Sequence, residues 1–121
     1  MLYSGAGMPI VFVVSQDWLL RAGVRAELRE RGIEAIGMES ADEVGRALAN
    51  GTAPSAMVLD AGSTPARDRG VAALAGRVPT ILIAPRIHSL PTLPAATILN
   101  RPVRIGEVVE SVVKLIRGLA A

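Results

Sequence analysis

Five short aliphatic runs, at residues 9–14, 33–38, 56–60, 79–84 and 96–99, punctuate the chain at intervals that leave room for a helix between most of them. Several are apolar at every position instead of at alternate ones, the pattern of strands buried on both faces. The intervening segments change period. Over residues 18–31, Leu20, Val24 and Leu28 recur every four residues, with Arg21, Arg25 and Arg29 one step round the cylinder. Alternation of strand and helix on this scale demands a parallel sheet with right-handed crossovers and helices on both faces. The third run, Ala56-Met57-Val58-Leu59-Asp60, ends on a carboxylate, so it delivers one acid to the sheet edge where its loop begins.

Local signals fix the remaining boundaries. Gly32 follows a basic last turn and suits a helix C-cap. The run 33–38 contains Gly37 and is weaker, which places it at a sheet edge. Ser40-Ala41-Asp42-Glu43 is a capping box, in which the serine oxygen accepts from the third helical amide and Glu43 reaches back to the cap; its helix runs to about residue 50, with Gly51 as the stop. Thr64 as N-cap and Pro65 at the first helical position start a third helix to about residue 77. Prolines 85, 91 and 94 limit the next segment to one helical turn or none. The last helix, about 105–119, gathers Ile105, Val108, Val109, Val112, Leu115 and Ile116 on one face. Residues 1–8, with Ser4-Gly5-Ala6-Gly7, form a flexible leader, and 9–121 make one domain.

Composition excludes several chemistries. A chain of 121 residues, half of them hydrophobic, can bury a core without staples. It has no cysteine and one histidine, His88, so disulfides, thiolate metal sites and multi-histidine metal sites are out of reach. No apolar run approaches the roughly 20 residues that span a bilayer, and the N-terminus lacks the pattern of a signal peptide. The expectation is a soluble cytoplasmic protein without membrane contact. A net charge of +2 does not call for a nucleic-acid partner, and Tyr3 and Phe12 offer no stacking platform for single strands.

A five-stranded doubly wound sheet of order 2-1-3-4-5 places its crevice at the C-terminal ends of strands one and three, lined by Ser15, Gln16 and Asp60. With Asp60 closing the third strand and Arg101-Pro102 following the fifth, the chain resembles a response-regulator receiver (CheY-like) domain of two-component signalling over residues 9–119. The resemblance implies a flavodoxin/CheY-like three-layer sandwich with the fourth helix short or absent. It further implies Asp60 as phosphoacceptor with Mg2+ as cofactor.

The departures define a degenerate variant. Where the family carries an acidic pair after the first strand, this chain has Ser15 and Gln16. Its hydroxyl position at the end of the fourth strand is Ala84, its switch aromatic is Ile98, its lysine is Arg101, and the loop after Asp60 is one residue longer before Pro65. Magnesium prefers carboxylate and water oxygens, so Asp60 would hold it nearly alone, with Asp17 as the one conceivable addition. The expectation is a pseudo-receiver that is not an enzyme and acts by protein contacts with little or no phosphorylation. It needs no cofactor, Mg2+ entering only if Asp60 is phosphorylated. Partners would be a sensor kinase or an output protein, with a homodimer through the 91–119 face, and any output domain would lie elsewhere. The alternatives are a phosphoacceptor with an atypical metal site and an unrelated flavodoxin-like ligand-binding domain.

Plainer roles compete for each residue. Asp60 can pair with Arg101 or cap the next helix. Asp17 suits a helix N-cap. The arginine stripe, interleaved with Glu27 and Glu30, suits a solvated helix face that could dock an acidic partner. Trp18 suits packing at a helix start, and His88 has no carboxylate near it in sequence.

Overall fold

The computed structural model describes residues 8–61, 69–84 and 97–120. Among these residues nine elements follow in order: β1 (Ile10–Val14), α1 (Trp18–Glu30), β2 (Glu34–Met38), α2 (Ala41–Ala49), β3 (Ala56–Asp60), α3 (Arg69–Ala75), β4 (Thr80–Ala84), β5 (Thr97–Asn100) and α4 (Ile105–Ala120). The strands form one parallel sheet of order β2-β1-β3-β4-β5. Residues 1–7 of the expected 1–8 leader, the Thr64–Pro65 start of the third helix, the longer loop after Asp60, the proline-rich segment with its short or absent fourth helix, and His88 all lie outside the described residues.

The period of two along each strand sorts the core into two layers. Val11, Val13, Val58, Ile81 and Ile83 face one way, against Leu20, Val24 and Leu28 of α1 and Val108, Val109, Val112, Val113 and Ile116 of α4. Phe12, Val14, Met57, Leu59 and Leu82 face the other, against Val44 of α2 and Val71, Leu74 and Ala75 of α3. Every residue of β3 and β4 is buried, which explains the unbroken apolar runs 56–59 and 81–84 within them. β5, at an edge, alternates between half-buried and exposed positions. β2, the other edge, is where Gly37 placed it.

Two helix ends turn through left-handed glycines, Gly32 at φ 78 and Gly51 at φ 86, a conformation that glycine adopts without steric cost. The capping box differs in one partner. Ser40 Oγ accepts from the Glu43 amide at 3.3 Å as expected, but Glu43 Oε1 accepts from the Glu39 amide, one residue before the cap. The first and third helices also end earlier than their sequence pattern, at Glu30 and Ala75. α1 and α4 approach closely because Gly23 has no side chain: a Cβ there would collide with Ile105 Cδ1. A 2.8 Å ion pair between Arg31 and Glu110 ties the same two helices at the surface.

A buried carboxylate at the switch point of the sheet

Parallel pairing sets the C-terminal ends of the strands level. Val14 is opposite Leu59, so Ser15, the next residue, comes alongside Asp60. Asp60 is opposite Ile83, and Ala84 is opposite Asn100, so Arg101 emerges beside the same corner. Its amide donates to the Ala84 carbonyl at 3.3 Å, and the Arg101–Pro102 peptide bond is cis. The fold therefore brings together Ser15, Asp60, Ala84 and Arg101, four of the positions singled out from sequence.

Their chemistry is a closed network. Asp60 is 0% exposed, and an ionised carboxylate at such a position needs a counter-charge to offset several kcal/mol of lost hydration. Arg101 Nη2 donates to Asp60 Oδ2 at 2.5 Å, and the buried Ser15 hydroxyl donates to the same oxygen at 2.8 Å. Ser15 Oγ in turn accepts from the Asp17 amide at 3.0 Å. Hydrogen bonds to an ionised acceptor are stronger than neutral ones, and here two converge on one carboxylate oxygen. Asp60 is thus the arginine-paired carboxylate that its sequence context allowed.

Asp17 is the N-cap of α1: its Oδ1 accepts from the amides of Leu19 and Leu20 at 3.1 and 3.2 Å. Gln16, next in sequence to Ser15, is exposed, whereas Ala84 is buried and contributes no polar side-chain atom. Among the described residues no group of three or more histidine, aspartate or glutamate side chains is placed to hold a metal ion.

Two expectations need correction. The arginine stripe is not simply a solvated face. Arg21 Nη1 donates to the Ser15 carbonyl at 2.7 Å and its Nη2 to Glu39 at 3.2 Å, while Arg25 Nε donates to the Ala35 carbonyl at 3.3 Å. The stems of both cross Gly37, where a Cβ would come within 3.0 Å or less of Arg25 Cδ and Arg21 Cδ. Edge strands commonly need such cover, and a strand glycine below two arginines spaced i and i+4 was the available signal. The second correction concerns Trp18. It does not pack at the helix start but is 64% exposed, beside Leu19 at 62%.

Sequence reasoning missed what Ser15 does. As a replacement for an acid it read as a loss, yet its hydroxyl is a donor to Asp60, and Arg21 fixes its carbonyl. The register of β1 against β3 was the signal that could have found it.

The chain has the fold of response-regulator receiver domains. The response regulator receiver protein from Burkholderia phymatum aligns with a TM-score of 0.64 at 24% identity, covering 86% of this chain and 91% of its own. The CheY-like receiver domain protein from Methanospirillum hungatei aligns at 0.73 and 14% identity, covering 93% and 96%. The receiver protein from Pseudomonas putida gives 0.67 and 21%, covering 91% and 99%. At these identities the likeness is one of fold. No family model and no curated relative matches the sequence. No described helix is long and apolar enough to cross a membrane.

Proposed function

We propose that the chain is a receiver-type module of two-component signalling that works by presenting surfaces to signalling proteins, a sensor kinase or an output protein. Asp60 undergoes little or no phosphorylation, and the domain has no catalytic activity of its own. The observation that carries this reading is the state of Asp60: its Oδ2 already accepts from Arg101 and Ser15 in a corner where the first strand supplies Ser15 and Gln16 in place of acids.

Phosphoryl transfer depends on positioned groups that neutralise the charge of the moving phosphoryl oxygens. Arg101 supplies one cation, but its guanidinium is committed to the acceptor itself. Ala84 has no hydroxyl to meet an incoming oxygen. The donor set does not fit magnesium either, because the ion favours carboxylates and waters, and the corner offers one carboxylate already bonded to an arginine. Asp17 would have to abandon the α1 cap to contribute. The fold supports the two-component assignment, since the receiver domains it resembles belong to such systems.

Two surfaces suit the contacts: the outer side of α1, and the 91–119 face, whose described part exposes Ile98 and Leu119. The test is intact-mass spectrometry after incubation with acetyl phosphate and Mg2+, beside an Asp60→Asn control. An unmodified mass is expected. A phosphoryl adduct present in the wild type and lost in Asp60→Asn would instead establish a phosphoacceptor with an unusual site.

A further inference from the structure

A run of hydrogen bonds leads from the surface to the buried carboxylate. At its outer end stands Glu39, which directly follows the edge strand β2 and has a side chain 65% exposed. Its carboxylate accepts from Arg21 Nη2, while Nη1 of the same guanidinium donates to the Ser15 carbonyl. Ser15 passes the link on through its hydroxyl, which donates to Asp60 Oδ2, and that oxygen also accepts from Arg101. The run thus crosses from the β2 edge to the β5 side of the sheet, and both ends reach solvent.

Two details couple its ends. Arg21 works as a fork, one arm for each acceptor, a geometry that a lysine ammonium does not reproduce. Asp60 Oδ2 is shared, so Ser15 and Arg101 divide the charge of one oxygen, and a weaker bond from one leaves more for the other. The Ser15 amide is held separately, by the Met38 carbonyl at 2.9 Å; what Arg21 fixes is the carbonyl side of the residue, and with it the seat of the hydroxyl. Arg25, one turn on, offers a contrast. Its stem crosses the same Gly37 and it donates to the Ala35 carbonyl, yet among the described residues it has no hydrogen bond to any member of the run.

We infer that the Glu39–Arg21 pair is a latch on the Asp60 corner: Arg21 is the positioning residue that seats the Ser15 hydroxyl on Asp60, and drawing it away leaves Asp60 to Arg101. A basic side chain of a partner that takes Glu39 removes one of the two acceptors that orient the guanidinium. A contact at the β2 edge is then registered at Arg101, on the far side of the corner. The inference rests on the reading of the domain as one that signals through contacts, and it gives that reading a means of transmission without a phosphoryl group.

The test is NMR of the arginine guanidinium groups in the full chain, with the Arg101 signals assigned by their loss in Arg101→Lys. Arg21→Met keeps a stem over Gly37 and removes the fork. Exchange of the Arg101 guanidinium protons with water should slow by roughly two- to threefold, the scale of coupling within one network. Glu39→Ala should act in the same direction and less, and Arg21→Lys should not restore the wild-type rate. Arg25→Met should leave Arg101 unchanged. In Ser15→Ala, where the run is cut, Arg21→Met should have no further effect. An unmoved Arg101 in Arg21→Met would overturn the inference, as would faster exchange there. An equal response to Arg25→Met, or a response to Arg21→Met that survives in Ser15→Ala, would overturn it too, by reducing the effect to packing. Should Ser15→Ala not fold, the comparison with Arg25→Met decides. A phosphoryl adduct on Asp60, read by mass, would refute the proposed function, whereas these signals refute the latch, so the two failures are told apart.

Discussion

The Asp60 corner and the outer side of α1 start within three residues of each other, at Ser15 and Trp18, yet they treat their side chains in opposite ways. In the corner, the buried Asp60 is satisfied by the buried Ser15 and by Arg101, which closes the corner at the surface. On the helix, Trp18 and Leu19 stand in solvent, and among the described residues the Arg29 side chain has no hydrogen bond or ion pair. Buried polar groups are costly unless paired, so the corner has spent its hydrogen-bonding capacity internally. An exposed tryptophan leaves a large apolar surface that is favourable to bury against a partner. The chemistry of this domain is turned inward and its capacity for contact outward.

The largest predicted effect comes from breaking the inward half. Arg101→Ala leaves Asp60 buried without its guanidinium and should cost about 3 kcal/mol, the lower part of the range for an orphaned buried charge because Arg101 is itself 29% exposed. Urea denaturation measures it. The double variant Asp60→Leu with Arg101→Met should recover most of that loss, since a buried pair replaced by apolar groups is often neutral. If the double variant were as unstable as the single one, the pair would not be the source of the cost.

Ser15→Ala should destabilise by roughly 1–2 kcal/mol, the effect of removing one donor to a buried charged acceptor. Next comes Gly37→Ala, in which the new methyl group must displace the stems of Arg21 and Arg25. About 1 kcal/mol is expected, together with shifts of the Ser15 and Ala35 amide neighbourhoods in an NMR spectrum. The smallest change belongs to the outward half: Ala22→Glu should alter monomer stability by no more than about 0.5 kcal/mol. A large loss there would show that the outer side of α1 is bound up with the fold after all.

Much of the architecture was legible because buried parallel strands advertise themselves. Ile10-Val11-Phe12-Val13-Val14 and Thr80-Ile81-Leu82-Ile83-Ala84 have no polar face, and each is followed by a change of period. Asp60 and Arg101 were legible as a pair because each closes or follows a strand in a level sheet. Ser15 was not, since its role depends on the pairing of β1 with β3 across 45 residues of chain. Arg21 and Arg25 sit on the right helix but bond to carbonyls of the β1 end and β2 that only the packing angle brings near. The exposure of Trp18 could have been read: it lies two residues before Leu20 and so about 200° round the helix from the buried stripe. Its aromatic bulk suggested packing, and the helical period was the better guide.

The most direct test of the closed corner is a two-dimensional amide NMR titration of the full chain, first with Mg2+ and then with beryllofluoride, which mimics a phosphoryl group on aspartate. A corner sealed by Arg101 and Ser15 predicts no saturable shifts at Ser15, Asp60, Ala84 or Arg101 in an otherwise well-dispersed spectrum. Saturable, site-localised shifts at these residues, abolished in Asp60→Asn, would contradict it and restore Asp60 as a working phosphoacceptor.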